Sequence, residues 1–252
     1  MNLEILDKAA GKPVNRSNAA AVLSSLAEYG PKVGLAVPHR VVPFLAQLMH
    51  ESGRFRYDHE LWGPTPAQRR YEGRKNLGNV RKGDGYKFRG RGPIQVTGRA
   101  NYAEFTDWVR KNVEPDGPDF TEEPDLILSD PWEGLAPIWY WSTRKLNRYA
   151  DNGDNEMITR RINGGLNGYE DRLNLYTDVG IATLGFDTVK AFQKSVPSLK
   201  ADGISGPATR KAIHEALVAL SSVPEVHPIH HKVTALEARV EALEKAARKT
   251  EV

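Results

Sequence analysis

His50-Glu51-Ser52-Gly53-Arg54-Phe55-Arg56-Tyr57-Asp58-His59-Glu60-Leu61-Trp62 sets two carboxylates nine residues apart among aromatics and a glycine. Cleavage of a glycosidic bond calls for such a pair: one group protonates the leaving oxygen and the other activates water or attacks carbon. Val41, Val42, Phe44, Leu45, Leu48 and Met49 recur at helical spacing just upstream, so the pattern predicts a helix over 39–51 with Glu51 near its end and Gly53 as terminator. Along a continuous helix, nine residues would separate the two carboxylates by about 13.5 Å. An inverting glycosidase needs roughly 6.5 to 9.5 Å and a retaining one about 5 to 5.5 Å. The chain must therefore break near Gly53 and fold back to present Glu60. Phe44, Leu48 and Phe55 offer Glu51 the apolar setting that suits a proton donor, while Arg56 and His59 beside Glu60 suit a base that stays ionised.

Further along, Gly85-Tyr86-Lys87-Phe88-Arg89-Gly90-Arg91-Gly92-Pro93-Ile94-Gln95-Val96-Thr97-Gly98-Arg99-Ala100-Asn101-Tyr102 is too polar and too punctuated by glycine for a core strand. It reads as a wall of the substrate cleft. Hydroxyl and amide groups from Thr97, Gln95 and Asn101 would orient water and sugar, and Trp62 and Tyr86 are candidate stacking platforms. Trp139, Tyr140 and Trp141 read as core, and Glu72, Glu104, Glu122 and Glu123 as solvated surface acids.

Around these motifs the pattern is mainly α. Helices are expected over 18–29, 39–51, 101–109 and 133–149, then one ending in Ile162-Asn163-Gly164-Gly165 and another from 169 to 180. Residues 63–92 read as loops with a short hairpin, and 115–131 as an acidic connector. The expected organisation is a catalytic domain over 1–180 with a loop-built cleft, a small helical module over 181–220, a linker over 221–230, and a terminal helix over 231–252. Val233, Leu236, Val240 and Leu243 give that last helix barely more than two heptads, enough either for self-association or for a lone docking helix.

The 252-residue chain is long enough to bury a full core and carries no apolar run that would span a bilayer. Its lack of cysteine excludes disulfides, thiolate catalysis and cysteine-ligated metal. No metal or cofactor is expected: His227-Pro228-Ile229-His230-His231 has no carboxylate cluster beside it, and the glycines of 83–92 lack the Lys-Ser/Thr of a phosphate loop. Met1-Asn2-Leu3-Glu4-Ile5-Leu6-Asp7 lacks the features of a secretory signal, so export by that route is not expected. Net charge is +3 but segregated: residues 69–99 hold ten Lys/Arg against Glu72 and Asp84, while 112–143 hold eight Asp/Glu and no cation. The basic run suits an anionic polymer beside the cleft, or else a solvated loop paired with the acidic segment. No fold signature for nucleic acid accompanies it.

Taken together, Glu51 in His-Glu-Ser-Gly, Glu60, the run Phe88-Arg89-Gly90-Arg91-Gly92-Pro93-Ile94-Gln95-Val96-Thr97 with Asn101-Tyr102, and Ile162-Asn163-Gly164-Gly165 leading to Arg172 resemble glycoside hydrolase family 19, the plant-type chitinases and related phage endolysins. The resemblance covers residues 15–180 and implies a lysozyme-like helical fold. It implies Glu51 as general acid and Glu60 as general base of an inverting mechanism, and Thr97 as the hydroxyl holding the attacking water. Gln95, Asn101 and Asn163 would line sugar subsites, and Arg172 would tune the base. The spacing of nine is closer to the short-loop phage members than to the plant enzymes, and Gly98-Arg99-Ala100 departs from the plant motif, which shifts the expected substrate from chitin to peptidoglycan.

Phe192-Gln193 and Asp202-Gly203-Ile204-Ser205-Gly206-Pro207-Ala208-Thr209 resemble the small three-helix peptidoglycan-binding domain of bacteria. The resulting expectation is a phage lysin of muramidase type, made in the host cytoplasm and reaching the wall after membrane permeabilisation, without inserting in the membrane. A delivered antibacterial effector would use the same chemistry. The alternatives are a lytic transglycosylase, a chitinase, and a wall-binding protein with an inactive cleft.

Overall fold

The computed structural model describes residues 1–221. The expected linker beyond 221 and the terminal helix lie outside the described residues. Among the described residues twelve α-helices follow one another: α1 (Leu3–Ala10), α2 (Arg16–Tyr29), α3 (Pro38–Glu51), α4 (Pro66–Arg69), α5 (Asp84–Lys87), α6 (Arg99–Asn112), α7 (Trp132–Thr143), α8 (Asn147–Ala150), α9 (Asn155–Asn163), α10 (Tyr169–Thr183), α11 (Val189–Ser195) and α12 (Pro207–Ser221). Among the described residues extended pairing is limited to isolated bridges, His59 with Arg91 and Arg91 with Val96.

The mainly helical expectation holds, with boundaries moved by local chemistry. Helix α2 starts two residues early because Asn15 caps it, its side chain accepting from Ser17 N and Asn18 N. Helix α1 was not anticipated from the sequence: Asn2 caps it, and only Leu6 and Ala9 are buried, too few apolar positions to stand out. The helix expected over 133–149 stops at Thr143. There the hydroxyls of Ser142 and Thr143 bond back to the Trp139 carbonyl at 3.1 and 2.8 Å, and Lys145 takes a left-handed φ of 54°. The stretch expected as loops over 63–92 contains α4, α5 and a 3-10 turn at Lys75–Leu77.

Met1–Val218 forms one compact unit. At its centre α3 packs on α10, α10 on α1, and α2 on α7. Every residue of α3 from Val41 to Met49 is buried, so its C-terminal end is held by packing on all sides. Helices α2 and α7 approach so closely that a Cβ on Gly134 would lie 2.1 Å from the Ala21 carbonyl oxygen, and glycine is what permits the crossing. Phe192 of α11 and Ile213 and Leu217 of α12 belong to the same hydrophobic core.

Next to Gly134, Glu133 is 5% exposed and its Oε1 has no hydrogen-bond partner. Burial, reinforced by Asp58 and Asp130, pushes its carboxyl up to about 7. A carboxyl whose folded pKa is raised binds its proton more tightly in the native state, so its contribution to stability is full below the unfolded value of about 4.5 and is lost as pH rises through about 7. Wild-type Tm is therefore expected to fall relative to Glu133→Gln between pH 5 and pH 8. Calorimetry at both pH values checks this, and a Tm difference independent of pH would refute it.

Candidate active site

Glu51 is the last residue of α3, and the chain turns sharply after it. Gly53, Arg54 and Phe55 all take positive φ, at 59°, 64° and 61°. Two of these are not glycine, a strained arrangement that persists only when neighbours over-determine it. Here Ser52 Oγ donates to the Leu48 carbonyl and accepts from Phe55 N, Asn18 Nδ2 holds the Phe55 carbonyl at 3.0 Å, and the Phe55 ring is fully buried. Asp171 of α10 clamps the same turn, bonding His50 Nδ1 at 2.6 Å and Arg54 Nη2 at 2.7 Å. Burial pushes the Asp171 carboxyl up, but those two partners outweigh it and leave the group below its ordinary range. The chain break expected after Glu51 is thus built at Gly53.

The Glu51 carboxylate itself meets a guanidinium. Arg172 of α10, 1% exposed, donates from Nη2 to Glu51 Oε1 at 2.5 Å and from Nη1 to Gln47 Oε1, one turn earlier on α3. Gln47 is held in turn by Thr159 Oγ1 at 3.2 Å. Phe44, Leu48 and Phe55 are buried, but where the sequence suggests an apolar setting the Glu51 carboxylate is paired with Arg172. The family resemblance implies that Arg172 tunes the base, whereas in the structure its carboxylate partner is Glu51.

Glu60 is held differently. Its backbone N donates to the Gly90 carbonyl at 2.9 Å, and its Oε2 accepts from Gly90 N at 3.2 Å. Oε1 accepts from Gln68 Nε2 at 3.0 Å and Tyr71 Oη at 3.5 Å. Burial, then the Glu60 charge, raises the Tyr71 phenol above its ordinary value, which keeps it a donor. Arg56 and His59 were expected beside Glu60, but His59 pairs with Asp58 at 2.5 Å and Arg56 lies over the Tyr57 ring. Gly90 also brings Glu60 near Gln95 and Thr97: a Cβ there would fall 2.5 Å from Gln95 Oε1 and 3.3 Å from Thr97 Oγ1. Thr97 Oγ1 donates to the Gln95 carbonyl at 2.8 Å, so its lone pairs remain to accept.

From Thr97 a run of contacts leads to the end of α9. Asn101 Nδ2 donates to the Thr97 carbonyl at 2.7 Å, and its Oδ1 accepts from Arg144 Nη2 at 3.1 Å. The Arg144 guanidinium lies 3.8 Å from the centre of the Tyr140 ring, and Tyr140 Oη reaches the Ile162 carbonyl at 3.4 Å, next to the exposed Asn163 that ends α9. Burial raises the Tyr140 phenol, Arg144 opposes this, and the charges of Glu51 and Glu104 add to it. Trp62 packs edge-on against Tyr86 at 5.3 Å and is tilted against Tyr71 at 6.4 Å, so the aromatic pair adjoins Glu60. Tyr86 is 53% exposed.

Sequence reasoning missed Gln47, Gln68, Tyr71, Tyr140 and Arg144. Gln68 alone carried a local signal, since Thr65-Pro66-Ala67-Gln68 is a capping box. Tyr140 was grouped with Trp139 and Trp141, which are indeed buried at 0% and 2%, but the ring between them is only partly covered. Glu72 and Glu104, read as solvated, have partners: Glu72 accepts from Gly83 N and Gly85 N, and Glu104 lies 3.6 Å from Arg144.

No family model matches the chain. It is 36% identical over 172 residues, 58% of this chain and 80% of the relative, to a glycosyl hydrolase family 19 domain-containing protein of Haemophilus influenzae. It is 28% identical over 165 residues to an endochitinase of Arabidopsis thaliana, spanning 53% of that relative's length against 63% of its own. The fold superposes on chitinase C of Streptomyces griseus with a TM-score of 0.56 at 19% identity, covering 72% of this chain and 75% of the other. It also superposes on a bacterial family 19 chitinase with a TM-score of 0.53 at 23% identity, covering 73% of this chain and 93% of the other.

Proposed function

Since this chain belongs to glycosyl hydrolase family 19, we propose that it hydrolyses β-1,4 bonds of peptidoglycan glycan strands by an inverting mechanism, with Glu51 as general acid and Glu60 as general base. The observation that carries the reading is the unlike support of the two carboxylates. Glu51 sits on a rigid helix end beside the Arg172 guanidinium, and Glu60 on a loop among amide and phenol donors.

Glu51 delivers its proton to the leaving glycosidic oxygen, while Glu60 removes a proton from water attacking the anomeric carbon from the opposite face. Thr97, whose own hydroxyl proton is committed to the Gln95 carbonyl, accepts the water's second O–H and fixes its direction. Asn101, Asn163 and Gln95 bind sugar hydroxyl and acetamido groups, and Trp62 with Tyr86 offers ring faces to the glycan. Arg172 holds the Glu51 carboxyl in place through the proton transfer.

Supporting a wall substrate are the basic loop beside Glu60 and the similarity of residues 183–220 to peptidoglycan-binding modules. Within that stretch Gln193 forms a buried hub, donating to Asp202, to the Ile204 carbonyl and to Thr209, and accepting from Gly203 N. A phage lysin made in the host cytoplasm and released to the wall is the setting that fits this reading. Chitin is the second reading, favoured by the endochitinases among the relatives.

The test is mass spectrometry of borohydride-reduced fragments released from purified peptidoglycan. Reduced muramic acid ends are expected; reduced glucosamine ends would mark a glucosaminidase, anhydro ends a transglycosylase, and no fragments a chitinase or a binding protein. Glu60→Gln is expected to lower turnover by about 10²-fold or more, because a base contributes on that scale. A transglycosylase, needing one carboxylate, would retain activity in that variant.

A further inference from the structure

The basic run divides into two sets with different fates. Lys87, Arg89 and Arg91 face the acidic segment: Lys87 lies 3.9 Å from Glu122, and Arg89 and Arg91 lie 3.8 and 2.6 Å from Asp125. Arg69, Arg70, Arg74, Lys75, Arg81 and Lys82 are all exposed, and among the described residues none has a carboxylate within salt-bridge distance. The acids of their own stretch are already engaged. Glu72 spends both oxygens on Gly83 N and Gly85 N, at 2.7 and 2.9 Å. Asp84, 2% exposed, binds Arg99 and the backbone of Val80 and Arg81, and the Arg99 guanidinium holds its carboxyl below the usual range. Six cations are thus presented to solvent by a loop whose acids are already bonded to backbone N–H groups and to Arg99.

The same loop supplies Gln68 and Tyr71, the two side chains that hold Glu60 Oε1. Arg69 and Arg70 lie between these residues in the chain, and Arg74 is close enough to lower the Tyr71 phenol against its other neighbours. A polymer seated against Glu60 and the Trp62–Tyr86 pair therefore runs beside the unpaired cations. A neutral glycan gains nothing from them; one with carboxylates hanging from its sugars gains an attraction that strengthens with each repeat.

We infer that the loop over residues 69–82 is an anion-binding arm of the cleft that takes the stem-peptide carboxylates of the peptidoglycan strand. This rests on the peptidoglycan reading and adds the feature by which the cleft would distinguish an acidic wall glycan from neutral chitin. Nucleic acid, the other polyanion, has no reason to adjoin a glycosidase base.

The test uses the full-length chain carrying Glu51→Gln, with and without Arg70→Gln, Lys75→Gln, Arg81→Gln and Lys82→Gln, none of which touches Glu60. Co-sedimentation is measured with purified sacculi and with sacculi whose carboxyl groups have been amidated, in low salt and in 1 M salt. The four substitutions are expected to weaken binding to native sacculi by roughly tenfold at low salt, to change binding to amidated sacculi little, and to lose their effect at 1 M, where screening acts within about 3 Å. Turnover of a neutral N-acetylglucosamine hexamer by the catalytically intact four-fold variant reports that the cleft is folded. Equal binding of native and amidated sacculi, or no effect of the substitutions, overturns the inference; so does a loss seen only with duplex DNA, which would assign the arm to nucleic acid. If the intact wild type releases no fragments from either sacculus, the peptidoglycan reading itself fails, whereas equal release by wild type and four-fold variant removes only the arm.

Discussion

Glu51→Gln is expected to lower kcat on unactivated glycan by about 10³-fold while leaving the fold intact, because general acid catalysis contributes on that scale when the leaving group is an alkoxide. The amide is isosteric, and its oxygen can still accept from Arg172 Nη2, so α3 keeps its contact with α10. What disappears is the transferable proton. The loss should therefore be far smaller on an aryl oligosaccharide with a dinitrophenolate leaving group, which departs without protonation, whereas Glu60→Gln should remain impaired on both substrates. Measuring kcat for each variant on each substrate separates the two roles. An equal loss of Glu51→Gln on the aryl and the natural glycan would show that Glu51 is not the acid.

Arg172→Ala is expected to cost about 3 kcal/mol of stability, the lower end for breaking a buried ion pair because the Glu51 side chain retains 20% exposure. For a unit of this size that corresponds to a Tm drop of about 6–12 °C. The variant also frees Gln47 and Glu51 together, and a catalytic group displaced by an ångström can lose about 10²-fold in rate. Arg172→Lys distinguishes positioning from simple charge. An ammonium keeps the charge but lacks the planar fork that bonds Gln47 and Glu51 at once, so Tm should recover more than kcat. Full recovery of kcat in Arg172→Lys would show that the fork is not needed.

The helical elements were legible because their signals are local. Gly30-Pro31 ends α2, and the apolar positions of α3 recur at i, i+3 and i+4 whatever they later touch, whereas the Asn15 cap that starts α2 at Arg16 was not read from the sequence. The turn after Glu51 was legible for a related reason: Gly53 announces a left-handed position, and the spacing to Glu60 demands a reversal there. Helix α7 was misjudged in length because Ser142 and Thr143 offer no apolar break, only hydroxyls that bend back onto Trp139 once the helix exists.

By itself the sequence led to a mainly helical fold and, through its resemblance, to a hydrolase of family 19, with Glu51 and Glu60 as the expected pair and Gln95, Thr97 and Asn101 expected beside them. Only the tertiary structure decided which groups hold the two carboxylates. Arg172 is 121 residues from Glu51 and meets it because α10 packs on α3, and Glu60 takes Gln68, Tyr71 and Gly90 in place of the cations beside it in the chain. The same holds for charge: composition shows a basic run and an acidic run, but which cations find a partner depends on where the folded backbone places each acid. A carboxylate within 4 Å of a cation pairs with it, whereas one bonded to backbone N–H groups forms no such pair.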